Sequence, residues 1–299
     1  MPGVAKCGTT TLYDLLVAHP RVTGGIDKEV RFLMDIDDRL CPPVNLHTSG
    51  LEAWASQYPD KGLGDFDIWL DASPQYQYQH TALETIARLE PQPKVLFILR
   101  NPARRLFSLY QYARYHQQAI PWVMSFEHFI EAIREPVDDR IAQFNMLRSA
   151  WRDTIYDAMI EDWSGAVPAH NLFVTSIEEL AQDRIKTLRS LASWLNIDAQ
   201  PLILARTAKS NPTIVTRSRT LRSIGAKAAR LLPENPVVRW AKDAVRELNS
   251  APVDRDELDD NAPFLAQLEE EFAPMMARLG ALRASVAQGG DTSAAGAIA

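Results

Sequence analysis

Gly3-Val4-Ala5-Lys6-Cys7-Gly8-Thr9-Thr10-Thr11-Leu12 is the stretch whose reading decides the fold. A short apolar entry runs into Lys-x-Gly-Thr-Thr, and a helical pattern begins at once. Leu12, Leu15 and Leu16 fall on one face at helical spacing and Pro20 stops the helix. The pattern is a strand, a tight loop and a helix N-terminus. Free N–H groups and the positive end of the helix dipole converge at such a place. With Lys6 and the hydroxyls of Thr9, Thr10 and Thr11, the loop becomes a cradle for phosphate. The plainer alternative is a Gly-Thr turn with one surface lysine. A Walker loop is excluded, because the lysine precedes the second glycine instead of following it.

Outward from the cradle, Arg21 to Gly25 reads as a turn into a short strand that leads to Lys28-Glu29-Val30-Arg31-Phe32. Adjacent parallel strands end on one side of a sheet, so strands one and two are expected to deliver Lys6 and Glu29 to one crevice. A carboxylate beside a phosphate cradle is a candidate general base; the alternative is a pair of adjacent surface charges. Ile68 to Asp71 reads as a short strand and Gln75 to Leu89 as a helix. Lys94 to Leu99 is continuously apolar after its first residue, as a buried parallel strand should be. It ends in Arg100-Asn101-Pro102, with Pro102 well placed for a first helical turn and Ser108 about two turns further on. Arg100 has no acid near it in sequence and is poised for an anion; the alternative is an ion pair with a distant carboxylate.

Residues 125–163 read as helical, 171–175 as a strand, 178–195 as an amphipathic helix, and 236–249 and 262–283 as two more helices. This βαβ alternation predicts an α/β fold, P-loop-like and three-layered, with a central parallel sheet flanked by helices. The expected organisation is one domain over 1–285 and a disordered Gly/Ala/Ser-rich tail over 286–299. A first strand normally needs about five or six residues, but only Met1 to Ala5 precede Lys6, so Met1 is expected to be an internal start.

With 299 residues, 46% hydrophobic and 23% charged, the composition is that of a globular protein. A net charge of −6 argues against nucleic acid as a partner. The stretch 206–230 is nevertheless basic, which suits a small polyanion or a solvated helix face. Two cysteines, Cys7 and Cys41, offer neither a disulfide framework nor a zinc site. No apolar run approaches a membrane span and no signal peptide is recognised, so a soluble cytoplasmic protein is the default expectation.

Three segments together resemble the PAPS-dependent sulfotransferases, PAPS being 3′-phosphoadenosine 5′-phosphosulfate. Lys6-Cys7-Gly8-Thr9-Thr10-Thr11-Leu12 is similar to their 5′-phosphosulfate loop, and Leu99-Arg100 through Ser108 to their 3′-phosphate motif. Lys28-Glu29-x-x-Phe32 is similar to a segment of the heparan-sulfate-type and bacterial branch, and Asp71-Ala72-Ser73-Pro74-x-Tyr76 to its acid-x-Ser-Pro-x-Tyr segment. The resemblance covers roughly residues 3–196 and implies transfer of a sulfuryl group from PAPS to an acceptor hydroxyl of a glycan, lipid or small molecule. It implies Glu29 as base, Lys6 at the bridging oxygen, Lys28 orienting Glu29 or touching the sulfuryl oxygens, and Arg100 with Ser108 on the 3′-phosphate. Trp151 is a candidate adenine contact or, equally, a core tryptophan. No metal is expected. Ala72 and Arg31 depart from the pattern, and Lys209 to Arg222 is the candidate segment for closing over the cofactor. The competitors are a P-loop small-molecule kinase, with Asp71 as its Mg²⁺-holding acid, and a catalytically silent PAP-binding protein.

Overall fold

The computed structural model describes residues 1–59, 66–134, 137–205, 214–216, 250–252 and 256–294. The basic stretch 206–230, apart from 214–216, and the helix expected at 236–249 lie outside the described residues. The chain divides into two compact units, Met1–Asn101 with Ile155–Ser210 and Phe272–Ala299, and Pro102–Thr154 with Asn211–Glu271.

The first unit holds the parallel strands. β1 (Val22–Gly24) pairs with β2 (Ile68–Leu70), and β3 (Val95–Leu99) pairs with β4 (Leu172–Ser176), both parallel. All five residues of β3 are buried, as its continuous apolar run requires. Its other edge takes the start of the chain: Gly3 bridges Phe97 in parallel, with Val4 N donating to Ile98 O at 3.0 Å and Ile98 N to Gly3 O at 3.2 Å. The expected first strand is therefore a single bridge. Its described neighbour is β3, not the strand before Lys28-Glu29, which pairs with β2. Parallel neighbours end on the same side, so this bridge delivers Lys6 beside Arg100. Glu29 is not at a strand end; it lies in the loop beyond β1.

Helix α1 (Thr9–Val17) buries Leu12, Leu15 and Leu16 in one core with Leu96, Ile98 and Leu188. Each such leucine contributes roughly 1.5–3 kcal/mol. The helix expected over 178–195 is broken in two. Ser176 and Glu179 form a capping box for Ile177–Gln182, and Asp183 then caps a new helix, Arg184–Leu195, by accepting from Lys186 N. The helix expected over 75–89 likewise opens as a 3₁₀ turn, Pro74–Tyr78, before His80–Arg88. The last helix runs from Ala262 to Ala294, beyond the 283 read from sequence, so 286–294 are helical. Arg278 Nε on Asp157 at 2.6 Å and Arg283 on Glu179 at 2.7 Å tie its later part to the first unit.

In the second unit, the region read as helical over 125–163 starts with Phe126–Ile133, and short turns follow; Tyr156–Ala166 belongs to the first unit. Phe107, Tyr110, Phe126 and Phe129 pack ring against ring. Arg105 is fully buried and donates to Ala150 O and Thr154 Oγ1. Strands Ile214–Thr216 and Ser250–Pro252 pair antiparallel. Among the described residues no helix is long and apolar enough to cross a membrane.

Candidate active site

The cradle is built by two residues in the left-handed region. Lys6 has φ 70° and Gly8 has φ 92°, which turns the chain sharply between the β3 bridge and α1. A β-carbon on Gly8 would stand 2.7 Å from Ile177 Cδ1, so conformation and packing both demand glycine there. Gly8 is the N-cap of α1 and no side chain caps that helix. Its positive end therefore points at the loop that Lys6 begins. Thr9 is buried, while Thr10 and Thr11 are half-buried. Cys7 is buried with its Sγ 3.7 Å from Tyr156 Oη, and its N–H returns to Val4 O at 3.2 Å.

Two cations meet at this loop. Arg100 Nη1 donates to Lys6 O at 3.3 Å, and among the described residues no carboxylate forms an ion pair with Arg100. Burial, reinforced by the charge of Arg100, brings the Lys6 ammonium down to about 8. A half-buried lysine beside an arginine concentrates positive charge at the loop, and that is the fit expected of a phosphate group.

The second station is Glu29. Lys28 Nζ reaches Thr9 Oγ1 and Glu29 Oε1, each at 3.5 Å, so Lys28 links the first turn of α1 to this carboxylate. Burial lowers the Lys28 pKa, and Glu29 opposes that shift. Gln75 Nε2 donates to Glu29 Oε2 at 2.8 Å. The loop carrying Glu29 is pinned from beneath by Asp71. That carboxyl accepts from Ser73 Oγ at 2.6 Å and Tyr76 Oη at 2.8 Å. The two hydroxyls accept in turn from Arg31 N at 2.9 Å and Leu33 N at 3.0 Å. Burial pushes the Asp71 carboxyl up. With each oxygen engaged by a hydroxyl donor, Asp71 is built as a structural hub and not as the Mg²⁺ ligand that a kinase would need.

Lys6, Gly8, Thr9, Lys28, Glu29 and Arg100 all fall in the first unit. Ser108 and Trp151 fall in the second: Ser108 is buried within helix Pro102–Gln111, and the Arg134 guanidinium lies 4.2 Å from the Trp151 ring centroid. Sequence reasoning missed Gln75 and Tyr156. Neither has a local signal, since each reaches its partner across a long stretch of chain.

The sequence matches the family model of the sulfotransferase domain over residues 1–220. The chain belongs to the sulfotransferase family. Its members are PAPS-dependent, and the family thereby implies PAPS as donor. The chain is 26% identical over 201 residues to the human bifunctional heparan sulfate N-deacetylase/N-sulfotransferase 3, covering 65% of this chain and 22% of the relative. It is 27% identical over 196 residues to the human bifunctional heparan sulfate N-deacetylase/N-sulfotransferase 1. The chain thus spans about a fifth of the length of these curated relatives. The crystal structure of a sulfotransferase from Alicyclobacillus acidocaldarius superposes with a TM-score of 0.61, at 22% identity, over 95% of this chain and 94% of that one. That likeness shows the fold of the chain, which is mixed α/β, helix-rich and P-loop-like with parallel strands.

Proposed function

We propose that this chain transfers the sulfuryl group of PAPS to an acceptor hydroxyl on a glycan, lipid or small molecule. The observation that carries the reading is the meeting of Lys6 and Arg100 at the uncapped end of α1, with no described acid paired to Arg100. PAPS when bound supplies an activated sulfuryl group and leaves as PAP. Lys6 and the first-turn N–H groups of Gly8 to Thr11 would hold the 5′-phosphate side and place positive charge where negative charge builds. Arg100 would bind the 3′-phosphate; Ser108 joins it on the spacing of the motif. Trp151 is retained as a candidate adenine contact on the same basis, and Cys7 contributes to the cradle through its packing. Glu29 would take the proton that the acceptor hydroxyl loses. Its Oε1, held at 3.5 Å by Lys28, is the less tightly bound oxygen and the receiving atom.

A second reading has one observation in its favour. The curated relatives are named N-sulfotransferases, and an amine would use the same base. An acceptor screen with ³⁵S-labelled PAPS decides between them, with hydroxyl glycans, glycolipids and phenols beside a de-N-acetylated glycan. Label on hydroxyl acceptors is the expected result. Label on free amines alone would replace the hydroxyl by nitrogen. Transfer from γ-labelled ATP in place of PAPS would make the protein a kinase.

A further inference from the structure

We infer that Gln75 is a positioning residue that sets the orientation of Glu29, an inference that rests on reading Glu29 as the base. Gln75 Nε2 donates to Glu29 Oε2 at 2.8 Å. A carboxylate can only accept, so the amide is fixed with its NH₂ toward Glu29. The opposite atom, Gln75 Oε1, is then buried with no hydrogen-bond partner. Buried orphan acceptors are rare in folded proteins, and each calls for an explanation. Here the contact with Glu29 holds the amide in place against that loss.

The backbone around Gln75 is rigid for reasons of its own. Pro74 opens the 3₁₀ turn, while Ser73 and Tyr76 on either side both bond to Asp71. Those same two hydroxyls accept from Arg31 N and Leu33 N. Segment 73–76 and loop 29–33 are therefore laced together through backbone groups of the loop. Gln75 is the member of the segment whose bond goes to the side chain of Glu29 instead. A donor on Oε2 fixes the plane of the carboxylate, leaving Oε1 to meet the acceptor. The charged groups around this carboxylate are Lys28 on Oε1 and Arg31, whose Nε lies 3.4 Å from Glu29 O; Asp14 and Asp71 act on Lys28 from the other side.

The test reads the Glu29 carboxyl by NMR of ¹³C-carboxyl-labelled full chain at one fixed pH, assigned with Glu29→Gln, beside turnover on the acceptor found with labelled PAPS. In Gln75→Leu the Glu29 resonance should move, because its carboxylate loses a donor. Turnover should fall roughly tenfold, a part of the about 10²–10⁴ that a positioned base supplies, while PAP affinity and the KM for PAPS stay within about twofold. Added to Glu29→Gln, the same substitution should cost nothing further, since the two residues act as a unit. Gln75→Asn, which keeps an amide but draws it back, serves if the leucine does not fold. An unmoved Glu29 resonance in both variants would overturn the inference, as would a loss confined to melting temperature or PAP affinity. A moved resonance together with a fully active Glu29→Gln would leave the coupling of Gln75 to Glu29 standing and remove the base reading instead.

Discussion

Lys6→Met is expected to abolish measurable PAP binding and, at neutral pH, to raise the melting temperature of the ligand-free protein. Both follow from one feature, a lysine held in the fold by its loop against burial and against the charge of Arg100, at about 8 in place of 10.5. Between these two values the unfolded chain holds a proton that the folded chain does not. The cost of keeping Lys6 charged in the fold is therefore fully present below about pH 8 and is relieved as pH rises toward 10.5. That cost is roughly 3 kcal/mol, and methionine removes it while keeping the length of the stem. The melting gain of the variant should be largest near pH 7 and should shrink by pH 10. A bound phosphate reverses the balance by favouring the ammonium. Calorimetry at pH 8 in two buffers of different ionisation enthalpy should show the unaltered protein taking up protons as PAP binds. A Lys6→Met protein that binds PAP as well as the parent would remove Lys6 from the phosphate site.

Glu29→Gln should lower turnover by about 10² or more while PAP affinity stays within a few-fold. The amide keeps the shape of the side chain but cannot take a proton from the acceptor. Glu29 lies in the loop beyond β1, and among the described residues its side chain meets Lys28 and Gln75, not Lys6 or Arg100. Single-turnover kinetics with saturating PAPS separates the chemical step from binding. Two other proton acceptors are engaged elsewhere: Asp71 holds the hydroxyls of Ser73 and Tyr76, and His47 Nε2 lies 3.2 Å from both Met34 O and Thr81 Oγ1. Turnover that barely changes would return the search for the base to one of these two.

The parts of this site that were legible in the sequence are those written in local pattern. Leu12, Leu15 and Leu16 announce α1 by spacing, the run Val95 to Leu99 announces a buried strand by composition, and Lys6 and Gly8 announce the loop by residue type. What the sequence could not show is which strand neighbours which. The crevice expected between the first two strands depends on adjacency, and hydrogen bonding puts Gly3 beside Phe97 instead. Arg100, not Glu29, is therefore the group that parallel pairing delivers to Lys6. Glu29 is brought in by Lys28 and by the lacing of its loop onto Asp71, Ser73 and Tyr76. That motif was visible as a string but silent about its partners. The break at Asp183 was misread for a similar reason: helical periodicity runs through it, and the competing cap shows only once the Lys186 N–H is seen to point at the Asp183 carboxylate.

The central claim is that this loop and Arg100 select a nucleotide carrying a 3′-phosphate. Calorimetric titration of PAP and of AMP into the same metal-free protein tests it most directly. The account predicts that PAP binds about 10–100-fold tighter, the worth of one charge-assisted phosphate contact, and that Arg100→Ala brings the two affinities close together. Equal affinity for PAP and AMP in the unaltered protein, or binding that appears only when Mg²⁺ is added, would contradict it.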